Sequence, residues 1–183
     1  MKSESSTSSR RAPMQARAQQ RVAEILDAAE RLIGSQGYDA ITTNHIAAAA
    51  GVSIGSIYQF FANKFEILQA LTTRYRDGLL GVYANSLPNL AALPPEEIVN
   101  FIYDGVMRYN NERAAFSLVV MSAAPGSELA QAAQRIYDAM HFAIDRLMAV
   151  RAPWLSAEQR YLYTTISLTS ARAIQARRLA ELL

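Results

Sequence analysis

The relative positions of three residues within the stretch from Thr42 to Lys64 constrain the fold of this chain more than any other feature. Ala47, Gly51 and Ile57 stand at relative positions 0, +4 and +10 in the stretch TTNHIAAAAGVSIGSIYQFFANK. A small residue at the first position lets two helices approach closely, and glycine adopts the positive φ of a tight turn without steric cost. Ile57 then fills the crevice between the helices. The spacing therefore fits a helix-turn-helix.

The second helix of this predicted motif, about residues 54–60, carries side chains that suit DNA. Ser53 precedes it as the N-cap, where a hydroxyl satisfies a free backbone N–H. Gln59 offers a donor and an acceptor to adenine, and Ile54 suits a thymine methyl group. Gly55 lets the protein backbone approach closely. The side chains expected to contact phosphates are Thr43, Ser56, Tyr58 and Lys64.

A plain helical hairpin inside a larger bundle is the alternative interpretation. Taken alone, the spacing of Ala47, Gly51 and Ile57 favours this alternative. The capped, hydroxyl-rich second helix and the charge distribution favour DNA binding instead. Four arginines and no acidic residue lie between Arg10 and Arg21, whereas residues 65–183 carry eleven basic and eleven acidic side chains. A basic arm beside a small module is typical of an anionic partner, although a solvated tail has the same composition.

The rest of the chain is divided into helices. Residues 1–14 are Ser-rich and predicted to be disordered. Apolar residues recur every three or four positions from about Arg17, and Gly37 is placed to end this helix after Gln36. Further helices are predicted over about 64–87, 95–113, 114–123 and 127–151, and from Ser156 toward the C-terminus. No stretch alternates with period two, so the sequence predicts an all-α protein.

Composition narrows the possible functions. The chain has 183 residues and no cysteine, which excludes disulfides and cysteine-ligated zinc. A metal site has little support, because the two histidines, His45 and His141, are far apart in sequence. The N-terminus has no apolar signal segment, and no window approaches a membrane span. The chain contains no Walker, GxGxxG or HExxH motif, and its one GxSxG match, Gly51–Gly55, lies at the predicted helix turn and follows no predicted strand. We therefore expect a cytoplasmic protein that is not an enzyme and needs no cofactor or metal.

The C-terminal half is rich in large, flexible apolar and aromatic residues. Pockets between helices are typically lined in this way, although an ordinary core has the same composition. Apolar positions of the last helix, including Leu162, Ile166, Ile174 and Leu179, are candidates for contact with a second subunit. The candidate ligand-binding residues are Phe101, Met107, Phe116, Met121, Met140, Trp154 and Tyr161.

The block from about Arg21 to Tyr75 resembles the DNA-binding domain of the Tet repressor (TetR/AcrR) family. The resemblance rests on the ordered elements Thr-Thr, Ile-Ala, Ala-Gly-Val-Ser, Gly-Ser-Ile-Tyr, Phe and Asn-Lys. It implies a disordered basic arm over 1–16, a helix-turn-helix DNA-binding domain over 17–66, and a helical effector-binding and dimerisation domain over 67–183. It adds Asn44 and Phe60 to the DNA-contacting positions, and Ser53 completes that set.

The resemblance and the residues together predict a homodimeric, ligand-responsive transcriptional regulator. We expect a repressor that a small apolar or aromatic effector releases from a palindromic operator on double-stranded DNA. The alternative is a helical small-molecule-binding or interaction module without specific DNA binding. After about Leu80 the sequence offers no family motif, so it does not identify the effector.

Overall fold

The computed structural model describes residues 6–90, 92–113, 115–121 and 126–180, except for the side chains at 6–13, 85, 87, 88, 95, 96, 99, 102, 103, 106, 121, 171, 172, 174–176 and 178–180. These residues form eight helices and no strand, which confirms the all-α prediction. Within the same residues, no helix is long and apolar enough to cross a membrane. The helices are α1 Ser6–Gln36, α2 Thr43–Ala50, α3 Ile54–Tyr58, α4 Lys64–Leu90, α5 Pro95–Glu112, α6 Phe116–Met121, α7 Glu128–Arg151 and α8 Ala157–Ala180.

Local capping explains most of these boundaries. Gly37 ends α1 with φ +82°, and its N–H donates to the Ile33 carbonyl. The Ser127 hydroxyl accepts from the Ala130 N–H at the start of α7. Ser156 and Gln159 bond each other's backbone N–H groups at 3.2 and 2.9 Å, which makes a capping box at the start of α8.

The helix-turn-helix lies in an N-terminal head, which we define as α1–α3 and the turn that leads into α4. Ile25, Ile33, Ile46 and Ile57 are fully buried there, and α1 packs on α2. α5–α8 form the body, and α4 belongs to both parts. One continuous core cluster runs from the head through Tyr75 of α4 into α7. The head is therefore attached to the body by packing along α1 and α4.

The body is organised around α4 and α7, which pack along each other. The buried face of α7 is rich in alanine at 132, 133, 139 and 143, so the two helix backbones can approach closely. A second, smaller cluster contains Leu90, Ile98 and Leu147 and holds the far end of α4.

Three boundary predictions were wrong. α1 begins at Ser6, so residues 6–16 are helical and not part of a disordered arm; residues 1–5 lie outside the described residues. Methionine, glutamine, alanine and arginine at 14–20 are strong helix formers and extend α1 toward its N-terminus. α4 passes the predicted end near Leu87, because Leu90 is buried in the second cluster and stabilises the last turn. α3 ends at Tyr58 and not at Phe60.

Candidate nucleic-acid interface

The turn between α2 and α3 has the geometry that its sequence predicts. Gly51 adopts φ +66°, and its N–H and that of Val52 close the end of α2 on the Ala48 and Ala47 carbonyls. Ala47 and Ile46 are buried, and Ile57 is 0% exposed between the helices. A β-carbon at position 51 would meet no atom, so the requirement for glycine comes from the positive φ and not from space.

Hydroxyl groups organise the N-terminus of each short helix. The Thr42 side chain accepts the His45 N–H at 3.2 Å at the start of α2. The Ser53 hydroxyl accepts the Ser56 N–H at 3.1 Å at the start of α3 and also pairs with the Ser56 hydroxyl. Ser53 therefore acts first as the N-cap of α3, and this capping sets the orientation of the exposed face that follows.

The exposed face of α3 is largely free of intramolecular bonds. Ile54, Gly55 and Gln59 are exposed, and the Tyr58 side chain is 56% exposed. The Tyr58 hydroxyl lies 3.4 Å from the hydroxyl of Thr43 at the start of α2, so one residue from each helix of the motif meets at the surface. Asn44 is also exposed beside this pair. The buried side of the same helix is held by Ile57, so the exposed face is presented rigidly.

Phe60 and Lys64 have a different setting from the rest of the predicted set. Phe60 is half-buried and packs against the core. The Lys64 ammonium donates to the carbonyls of Tyr38 and Ile41 at 2.9 and 3.0 Å and lies 4.1 Å from the centre of the Tyr38 ring. A lysine has three donors. Lys64 therefore uses two of them to hold the start of α4 to the α1–α2 turn and retains one.

A buried polar cluster joins the head to α4. The Glu30 carboxylate accepts from the Arg74 guanidinium and from the Tyr75 hydroxyl at 3.0 Å, and the Arg113 guanidinium lies 3.5 Å away. Burial raises the pKa of Tyr75 far above its usual value, and the Glu30 carboxylate adds to the shift. Tyr75 therefore remains a protonated donor. The cluster holds α1 against α4 below the helix-turn-helix.

Comparison with known proteins identifies the fold and its N-terminal module. Residues 25–71 match the family model described as bacterial regulatory proteins, tetR family. The helix-turn-helix module is of the tetR type. The matched segment begins in α1, contains the whole helix-turn-helix and ends in α4, so it covers the head from Ile25 onward.

The similar proteins agree with that assignment. The chain is 33% identical over 87 residues to the HTH-type transcriptional repressor KstR2 of Rhodococcus jostii, a match that covers 45% of this chain and 42% of that repressor. The aligned region thus covers less than half of this chain and less than half of that relative. The family and this relative are transcriptional regulators and not enzymes.

Two solved structures extend the likeness to the body. The fatty acid degradation regulator FadR of Bacillus halodurans superimposes with a TM-score of 0.73 at 19% identity, covering 88% of this chain and 85% of that one. FadR of Bacillus subtilis in complex with stearoyl-CoA superimposes with a TM-score of 0.67 at 17% identity, covering 85% and 87%. At these identities the likeness is one of fold.

Among the side chains that the structure describes, the predicted ligand-binding residues do not line one shared cavity. Phe116 is buried and makes edge-on ring contacts with Tyr75 and Tyr109. Phe101, Met107 and Met140 are half-buried, and the Met121 side chain lies outside the described residues. Trp154 and Tyr161 are 77% and 63% exposed. Phe116 is therefore a core residue, and the last two belong to a surface.

Sequence reasoning missed the polar links between the head and the other helices. One of these links joins Glu30 to Arg74, which lies 44 positions away in the sequence. A carboxylate among Leu26, Ala29 and Ile33 in an apolar stripe was the available signal, because charged residues are seldom buried unless they are paired. Tyr38, whose hydroxyl donates to Glu128 of α7, carried no signal beyond its position after Gly37.

Proposed function

We propose that this chain is a DNA-binding transcriptional regulator, a homodimer that acts in the cytoplasm and represses from a palindromic operator until an effector releases it. The observation that carries the proposal is the exposed face of α3. Ile54, Tyr58 and Gln59 are presented to solvent by a helix whose opposite side is buried through Ile57. A plain helical hairpin needs no exposed face of this kind opposite a buried side.

In this proposal the residues around α3 divide into two roles. Gln59 and Ile54 read base edges in the major groove, where glutamine suits adenine and an aliphatic side chain suits the thymine methyl. Tyr58 and Thr43, whose hydroxyls meet at 3.4 Å, share one phosphate, and Ser56 and Asn44 lie beside them. The remaining donor of Lys64 serves a phosphate, and Phe60 supports the helix from behind.

We infer that the second subunit covers an apolar surface on α7 and α8. Large side chains are exposed there although apolar groups of this size are usually buried. Two heads related by twofold symmetry would enter successive major grooves about 34–36 Å apart, which requires a palindromic operator. The exposed apolar residues of this surface are Phe142, Val150, Trp154, Tyr161, Leu162, Tyr163 and Ile166.

The effector that we propose is small and apolar or aromatic, and it binds inside the body. The fold is shared with a regulator solved with stearoyl-CoA, a ligand with a long acyl chain. Phe101 and Met140 are half-buried against the core, and the Tyr83 hydroxyl is buried with no hydrogen-bond partner among the described side chains. An apolar ligand with one polar group would satisfy that hydroxyl. Release follows if the ligand prefers the conformation that binds DNA less tightly.

The test is fluorescence anisotropy of the purified protein on duplex DNA from upstream of its own gene. The titration runs at two salt concentrations and against excess random duplex. We expect binding that survives the competitor, and we expect Tyr58→Phe to weaken it on every sequence because a phosphate contact is lost. Binding that disappears equally into competitor would favour the alternative, a helical small-molecule-binding or interaction module without specific DNA binding.

A further inference from the structure

The head and the body meet loosely at one point. A crevice of about 340 Å³ separates the end of α1, residues 36–40, from Leu118 of α6 and Leu129 of α7. The crevice opens to solvent, so side-chain packing does not fill it. The orientation of the head at this junction therefore depends on the few specific contacts that span the crevice.

A hydrogen bond between Tyr38 and Glu128 spans this crevice. The Tyr38 hydroxyl, at the end of α1, donates to the Glu128 carboxylate in the first turn of α7, 90 positions away. Burial raises the pKa of Tyr38 far above its usual value, and the bond to Glu128 adds to the shift, so the donor keeps its proton. The positive end of α7 favours the carboxylate at this position. The bond is therefore charge-assisted and directional.

Tyr38 is held on its other side by Lys64. The Lys64 ammonium donates to the Tyr38 carbonyl at 2.9 Å and lies 4.1 Å from the centre of the Tyr38 ring. One residue thus joins the α1–α2 turn, the start of α4 and the start of α7. Because α4 and α7 pack along each other in the body, a change in the relative position of these two helices reaches the head through Tyr38.

We propose that Tyr38 and Glu128 form a latch that sets the angle of the head on the body, and that this latch determines which operator half-site spacing the dimer accepts. The inference rests on the proposed function. Each added base pair between half-sites moves one recognition site by about 3.4 Å and turns it by about 35°. A dimer with rigidly held heads accepts one spacing, whereas loosely held heads accept neighbouring spacings.

The experiment compares affinities for three operators that differ only in spacer length: the preferred length and lengths one base pair shorter and longer. The variants are Tyr38→Phe, Glu128→Ala, Glu128→Gln and the double variant Tyr38→Phe/Glu128→Ala. The matched control is Tyr137→Phe, which loses a hydroxyl bond to the Val120 carbonyl inside the body. Melting temperatures and amide exchange of residues 37–42 are measured for each protein.

We expect Tyr38→Phe to lower the spacing preference about tenfold, equivalent to about 1.4 kcal/mol. Glu128→Ala should match it, and the double variant should show no further loss, because both changes break the same bond. Glu128→Gln retains an acceptor and should keep most of the preference. Tyr137→Phe should lower the melting temperature without changing the preference.

An unchanged preference in Tyr38→Phe, or an equal change in Tyr137→Phe, would overturn the latch. Wild-type protein that binds none of the operators would instead contradict the proposed function. Amide exchange then decides the latch without DNA: faster exchange at 37–42 in Tyr38→Phe supports it, and unchanged exchange refutes it.

Discussion

Replacement of Glu30 by alanine should destabilise this protein far more than replacement of Asp27, although both carboxylates bind the same arginine. Asp27 contacts Arg74 at the surface with a side chain that is 55% exposed, whereas the Glu30 side chain is 9% exposed. Glu30 also accepts the hydroxyl of Tyr75, which is fully buried. The two substitutions therefore remove partners of one guanidinium from two different environments.

The magnitudes follow from this difference in burial. Loss of one member of a buried, hydrogen-bonded ion pair costs about 3–5 kcal/mol, and here the Arg74 guanidinium loses the carboxylate on its buried side and keeps only the exposed carboxylate of Asp27. The hydroxyl of Tyr75 also loses its acceptor, and the free energy given for the buried pair already includes that cost. Loss of an exposed pair costs about 0–1 kcal/mol. For a chain of this length, these free energies correspond to about 6–20 °C for Glu30→Ala and at most about 4 °C for Asp27→Ala.

Thermal unfolding followed by circular dichroism at pH 7 measures both changes. Protein concentration is held constant, because dimerisation would otherwise shift the melting temperature. Repetition at high salt separates the two sites, since salt screens the Asp27 pair more than the buried Glu30 pair. Equal losses for the two variants, or a loss below about 1 kcal/mol for Glu30→Ala, would refute the reasoning that burial sets the value of these contacts.

Three further changes test the body and the interface. Gly78→Ala should destabilise the protein by about 1–3 kcal/mol in a urea melt, because a β-carbon there would lie 2.6 Å from the Tyr109 hydroxyl oxygen; Gly81→Ala, in open space on the same helix, should stabilise it by about 0.5–1 kcal/mol. Burial raises the pKa of Tyr83 to about 12 from its usual value of about 10, so the unfolded chain loses this proton first. The stabilisation that the protonated Tyr83 hydroxyl contributes is complete below pH 10 and falls by about 1.4 kcal/mol per pH unit between pH 10 and 12. Tyr83→Phe should therefore remove this part of the loss of stability that urea melts show at alkaline pH. Gln59→Ala should relax the preference at one base pair per half-site by about 1–3 kcal/mol in binding to an operator library.

Controls sharpen these comparisons. Gln134→Ala removes an exposed glutamine of α7 that bonds Asp138, and it should leave the operator preference unchanged. A Gly81→Ala variant as unstable as Gly78→Ala would contradict the steric explanation. Alkaline unfolding identical in Tyr83→Phe and wild type would contradict the burial of that hydroxyl, and an unchanged sequence preference in Gln59→Ala would remove this residue from base recognition.

The helix-turn-helix could be predicted because each of its signals acts over a few residues. Gly51 is needed where φ is positive, Ser53 caps the helix that begins at the next residue, and Ile57 fills the space beside Ala47. Steric and hydrogen-bonding demands of this range are written in the local sequence. The all-α class followed from periodicity for the same reason.

Contacts between distant segments were decided by the tertiary structure alone. Tyr38 meets Glu128 across 90 positions, and Glu30 meets Arg74 across 44. Phe116 and Trp154 are equally aromatic in the sequence, yet the first is core and the second is 77% exposed. Periodicity states which face of a helix is apolar but not which helix covers it. The head therefore followed from the sequence by itself, whereas its attachment to the body depended on how α1, α4 and α7 pack together.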